Sequence, residues 1–98
     1  AAEMALAGGL GCEIDLDVLP APADLPVDAR LFAESCTRFL VEVEPGQEAA
    51  FADAMKPHPA ARVGRVGGGV VRFLTAGRAA AEIGVAEAHR AWSAPLAW

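Results

Sequence analysis

The hydrophobic period of this chain switches repeatedly between two and about 3.6 residues, so strands and helices must be interleaved. "CEIDL" alternates Cys12, Ile14 and Leu16 with Glu13 and Asp15, which predicts a half-buried strand within residues 10–19. "TRFLVEVE" alternates more strongly. Phe39, Val41 and Val43 face one way, and Arg38, Leu40, Glu42 and Glu44 the other, so a strand is predicted over 37–44. "AAEMALAGG" has the helical period instead. Ala1, Met4 and Ala5 share a face, Leu6 and Ala2 flank it, and Gly8 stands where a C-terminal cap belongs.

The other segments follow the same logic. "PAPADLP" has three prolines in seven residues and reads as a surface loop. Asp28 can cap a short helix, "ARLFAE", with Leu31 and Phe32 as its buried residues. Pro45 ends the second strand, and "GQEAAFADAMK" forms a helix that points Ala49, Phe51, Ala52 and Met55 at a core. "ARVGRV" is a short strand, Gly67–Gly69 a turn, "VVRFLT" a strand and "AGR" a hairpin turn. "AAAEIG" is a weak strand, and "VAEAHRAW" a last helix with Val85, Ala88 and Trp92 at helical spacing. The predicted order is α-β-α-β-α-β-β-β-α. That is an α+β domain: a mixed β-sheet with helices packed mainly on one face.

Ninety-eight residues at 54% hydrophobic and 21% charged make one domain with one modest core. The net charge of −5 disfavours nucleic acid and anionic membrane surfaces as partners. No apolar run approaches the roughly 18 residues of a membrane span. Two cysteines far apart imply neither a disulfide framework nor a metal site, and reduced cytoplasmic thiols are the default. The chain starts without Met, within its first helix, and reads as a C-terminal fragment of a larger protein.

Chemistry-bearing residues are few. "AGGLG" has the reverse of the strand–glycine–helix order that cradles phosphate, and reads as a helix stop. "RVGGGV" reads as a turn, with a flexible flap as the alternative. His58 and His89 lack triad or metal partners at useful spacing. Cys12 reads as a core residue; Cys36 as a nucleophile would need a nearby base. Arg62, Arg65 and Arg72 could share a face and form a local anion site, or be ordinary solvated arginines. The densest polar group is "ESCTR". Glu34 and Arg38 could be a surface pair, or Arg38 and the turn N–H groups could hold a phosphate or acidic substrate group.

Several stretches, taken together and in order, resemble a known family. "AEMALAGGLGCEIDL", "LFAESCTRFLVEV", "ARVGRV" and "VAEAHRAWSAPL" are similar to the carboxy-terminal part of phosphoribosylformylglycinamidine synthase, within the aminoimidazole-ribonucleotide-synthetase-like superfamily. The resemblance implies an ATP-dependent carbon–nitrogen ligase of purine biosynthesis, located in the cytoplasm. That enzyme converts formylglycinamide ribonucleotide to its amidine with ammonia from glutamine. It implies ATP and Mg2+ bound mostly outside this fragment. The implied partners are an N-terminal synthetase domain of the same chain and a glutaminase domain or subunit. The family's "HD-x-SDGG" segment would lie just before the first helix, so this fragment alone is expected to be inactive. By the same resemblance, Glu34, Ser35 and Arg38 are the cleft-facing, substrate-binding candidates, with Glu34 orienting Arg38. Two alternatives stand beside it: another member of the superfamily, or a free-standing β-α-β binding or dimerisation module. An apolar patch left by the shortened first helix is expected to drive self-association.

Overall fold

The computed structural model describes residues 1–96. In chain order the elements are α1 (Ala2–Gly8), β1 (Cys12–Asp15), a 3-10 turn (Leu16–Val18), α2 (Val27–Phe32), α3 (Glu48–Met55), β2 (Gly64–Val66), β3 (Val70–Thr75), β4 (Arg78–Gly84), α4 (Val85–Ser93) and a final 3-10 turn (Ala94–Leu96). The four strands form one mixed sheet in the order β2-β1-β3-β4. β1 pairs antiparallel with β2 and parallel with β3, and β3 pairs antiparallel with β4. This is the α+β class expected from the sequence.

The alternation in β1 and β3 decides which face is buried. Cys12 lies opposite Val71 and Ile14 opposite Phe73. These four side chains point at one face, where Cys12, Ile14, Leu16 and Val71 join Ala5 of α1 and Val85 of α4 in the core. Leu31 of α2, Ile83 of β4, Val63 and Leu19 pack around it. Val71 is only 1% exposed, and burying a side chain of this kind contributes about 1.5–3 kcal/mol. Helices α1, α2 and α4 therefore cover one face of the sheet, as the periodicity implies.

β1 sits between β2 and β3, so the connection from β2 to β3 must cross over the start of β1. The Gly67–Gly69 turn does this and is tied down there. The Gly67 amide donates to the Gly11 carbonyl and the Gly11 amide to the Gly68 carbonyl, both at 2.8 Å. Gly11 is required by closeness: a Cβ there would lie 2.2 Å from the Val70 carbonyl oxygen. Gly64 is tighter still, since a Cβ would meet the Glu13 carbonyl oxygen at 1.9 Å.

Several expectations are corrected. The first helix runs one residue further, and Gly9, at φ +67°, supplies its left-handed cap. The strand expected over 37–44 does not form. Thr37 adopts a left-handed φ of +62°, the Arg38 amide closes a turn on the Ser35 carbonyl, and residues 38–44 lie outside every helix and strand. The sheet is complete in its order without them, and a strand without a neighbour has no acceptors for its N–H groups. Phe32, expected in the core, is 80% exposed. α3 forms, but Ala49, Phe51 and Ala52 are exposed and Met55 is only half-buried. Trp92 is exposed as well, although Val85 and Ala88 of the same helix turn inward. The consequence is an extended molecule. Its radius of gyration is 14.7 Å, against about 12.6 Å for a compact chain of this length.

Candidate functional site

The "ESCTR" group forms a tight exposed turn at the end of α2. Its closure is the Arg38 amide on the Ser35 carbonyl at 3.4 Å, with the Thr37 hydroxyl donating to the Cys36 carbonyl at 2.6 Å. Ser35 and Arg38 are thus brought together by backbone. Glu34 does not hold Arg38. The guanidinium reaches instead to the proline loop, where it donates to the Pro20 carbonyl at 3.0 Å. Glu34, Ser35 and Cys36 are exposed, and Cys36 is a free thiol.

The open face of the sheet carries a second polar group. Its residues are those that alternate away from the core. Glu13 of β1 lies opposite Arg65 of β2 and Arg72 of β3, and Arg72 lies opposite Glu82 of β4. The row Arg65–Glu13–Arg72–Glu82 is joined by ion pairs of 3.2, 3.5 and 2.8 Å in that order. Glu82 is the main cause holding the Arg72 guanidinium above its ordinary pKa, with Glu13 adding to it. A shallow cleft of about 360 Å³ runs from this row to the glycine turn, past Cys12, Val66 and Val70. Arg62 and Arg65 share a neighbouring hollow with Asp15 and Leu74. The three arginines grouped from the sequence do share one side of the sheet. Arg65 and Arg72 are each already matched by a carboxylate, so the face is a charge-paired surface rather than an open anion site.

Sequence reasoning missed the residues that shape the proline loop. Arg30 is a four-way staple. Its guanidinium donates to the carbonyls of Leu25 (2.9 Å), Ala23 (2.9 Å) and Leu16 (3.4 Å), and to the Asp17 carboxylate at 3.0 Å. Asp17 in turn accepts from the Ala76 amide at 2.6 Å and the Thr75 hydroxyl at 2.9 Å. The Ala76 N–H is the largest cause holding the Asp17 carboxyl below its usual range, followed by the Thr75 hydroxyl, with Arg30 a smaller one. This pair locks residues 16–30 to the β3–β4 turn, where Ala76 sits at φ +47°. The loop that carries Pro20, and so anchors Arg38, is therefore rigid at its base. No local motif marks Asp17 or Arg30. Asp17 meets Thr75 and Ala76 because β1 and β3 are neighbours, and Arg30 reaches it from α2 across the proline loop.

Among the described residues no group of three or more His, Cys, Asp or Glu side chains could hold a metal ion. The glycine turn leads into a strand, so it offers no helix N-terminus to a phosphate. The described residues do not by themselves fit Mg2+ or ATP. Cys12 is unsuited to nucleophilic work, because burial pushes its thiol pKa up. Among the described residues no helix is long and apolar enough to cross a membrane.

Comparison with known proteins agrees with the resemblance carried by "AEMALAGGLGCEIDL" and "LFAESCTRFLVEV". Residues 1–77 match the family described as AIR synthase related protein, C-terminal domain. The phosphoribosylformylglycinamidine synthase subunit PurL of Thermobifida fusca is 38% identical over 100 residues, covering 97% of this chain and 12% of that protein. The subunit of the same name from Ignicoccus hospitalis is 40% identical over 83 residues, 85% of this chain and 11% of the relative. That of Deinococcus radiodurans is 54% identical over 43 residues, 44% of this chain and 5% of the relative. The chain thus spans 12% or less of the length of these relatives. No solved structure matches it. With residues 1–77 of 98 inside the match, the chain belongs to the AIR synthase related protein C-terminal domain family.

Proposed function

We propose that this chain acts as the carboxy-terminal domain of a phosphoribosylformylglycinamidine synthase. The observation that carries the reading is similarity along nearly the whole chain to PurL subunits, 38% identical across 97% of its residues. In this reading the 98 residues are one domain of a longer, cytoplasmic, ATP-dependent ligase. ATP and Mg2+ are held mainly by an N-terminal synthetase domain, and ammonia comes from a glutaminase domain or subunit. The fragment on its own is inactive.

Within that enzyme the turn at residues 34–38 faces the cleft. Arg38 has five guanidinium N–H donors, and the Pro20 carbonyl takes one. The others are free to meet a phosphate or the amide oxygen that gains charge as it is activated. Ser35 offers a hydroxyl beside it, and Glu34 adds a carboxylate at the same rim. The rigid proline loop, rather than Glu34, sets the direction of the arginine. The test is Arg38→Ala in the full-length enzyme that carries this domain. The expected result is a fall in kcat/KM of at least about tenfold, from loss of a charged donor at the reacting centre. Unchanged kcat/KM would make Arg38 a structural residue and overturn its place in the site.

A further inference from the structure

Helix α2 leads straight into the turn at residues 34–38, so the place of the helix sets the place of the turn. By itself α2 is weakly held. It has six residues, none of them fully buried, and its N-cap is Pro26, which makes no side-chain cap bond. A helix of that length has little stability of its own. What fixes it is the Arg30 side chain, which is only 14% exposed. Its guanidinium is engaged on several sides, by the carbonyls of Leu25, Ala23 and Leu16 and by the Asp17 carboxylate.

Asp17 carries that hold to the sheet. Its Oδ1 accepts from the Thr75 hydroxyl as well as from Arg30, and its Oδ2 accepts from the Ala76 amide. Thr75 ends β3, a strand with a neighbour on both sides. A chain of bonds therefore runs from the sheet through Asp17 and Arg30 to α2 and the turn that follows it. A second branch ends at the same place, since the proline loop that Arg30 staples at Ala23 also carries the Pro20 carbonyl that accepts from Arg38.

We propose that Asp17, Arg30 and Thr75 are positioning residues for Arg38: they fix the turn at 34–38 against the sheet and touch no substrate themselves. The proposal rests on the reading that Arg38 faces the cleft. A misplacement of about 1 Å at a reacting centre can lower a rate by on the order of 100-fold, so a loosened clamp is visible in turnover. A clamp that only stabilises the fold gives a different pattern. Loss of folded enzyme lowers the rate by one factor whether or not Arg38 is present. Loss of positioning lowers it only while Arg38 is there to be misplaced.

The test is a double-mutant cycle on kcat/KM in the full-length enzyme that carries this domain. Asp17→Asn keeps the side-chain shape and loses one of the two acceptor oxygens. Arg30→Met keeps an unbranched stem and loses the guanidinium. Each should lower kcat/KM at least about fivefold when Arg38 is present, and by less than about twofold when added to Arg38→Ala. Thr75→Val removes one donor and keeps the β-branched shape; it should lower kcat/KM at least about twofold with Arg38 present and not at all without it, and it decides the matter if the other two variants fail to fold. A fall in Arg38→Ala beside unchanged rates in the clamp variants overturns the positioning alone, as do losses of the same size in both backgrounds. Unchanged kcat/KM in Arg38→Ala itself removes the reading beneath the proposal, and the proposal with it.

Discussion

In β3, Val71 alternates with Arg72 and is 1% exposed; in residues 38–44, Phe39 alternates with Leu40 and is 85% exposed. The two segments have equally good strand patterns and opposite outcomes. β3 lies between β1 and β4, so its backbone is paired on both sides and its apolar face meets α1 and α4. Residues 38–44 follow a left-handed turn at Thr37 and reach no strand. The difference shows that alternation supplies a surface to bury, and a neighbour decides whether it is buried. β3 gains burial and cross-strand hydrogen bonds together, while residues 38–44 join no strand and leave Phe39, Leu40 and Val41 exposed.

Matched perturbations in the two halves can break that contrast. The largest effect is expected at Gly64, where a Cβ would run into the Glu13 carbonyl and part β2 from β1. Gly64→Ala should cost more than about 3 kcal/mol in urea denaturation, or prevent folding. Just beyond residues 38–44, Gly46→Ala meets no atom within 4 Å and faces only its φ of +89°, so about 1–2 kcal/mol is expected. An equal loss at both sites would contradict the division. Next comes Val71→Ala, which leaves a cavity in the core and should cost about 1–3 kcal/mol.

Asp17→Asn should cost less, and its effect depends on pH. The folded carboxyl is held below its usual range, chiefly by the Ala76 N–H. Its contribution is therefore present above the ordinary carboxylate pKa of about 4 and is lost as pH falls through the lowered folded value. The urea midpoint of wild type should exceed that of Asp17→Asn at neutral pH, with the gap closing in acid. A gap independent of pH would remove Asp17 from the clamp. The smallest effect is expected at Phe39→Ala, within about 0.5 kcal/mol, because Phe39 is 85% exposed. A loss comparable to Val71→Ala would show that residues 38–44 are packed.

The sheet half was legible from its residues. Cys12 and Ile14 read as inward and Glu13 as outward, and the pairs with Val71, Phe73, Arg65 and Arg72 follow that pattern. Helices α1, α3 and α4 were placed to within about a turn. Two kinds of feature were not legible. The fate of 37–44 depends on strand order, which no local pattern encodes. The bonds from Asp17 to Thr75 and Ala76 and the close approaches at Gly11 and Gly64 depend on which strands are neighbours. At the candidate site, the sequence grouped Glu34, Ser35 and Arg38, and the turn joins Ser35 to Arg38. The hold on Arg38 comes from Pro20, eighteen residues away along the chain, which spacing alone does not reveal.

The most direct test of the contrast is hydrogen exchange, resolved by peptide, on dilute and on concentrated protein. The account predicts that peptides from β1 and β3 are protected at both concentrations. The peptide spanning residues 38–44 should exchange at once at both. Protection of that peptide equal to β3 in dilute protein would contradict the account, because the segment would then be a strand of the monomer.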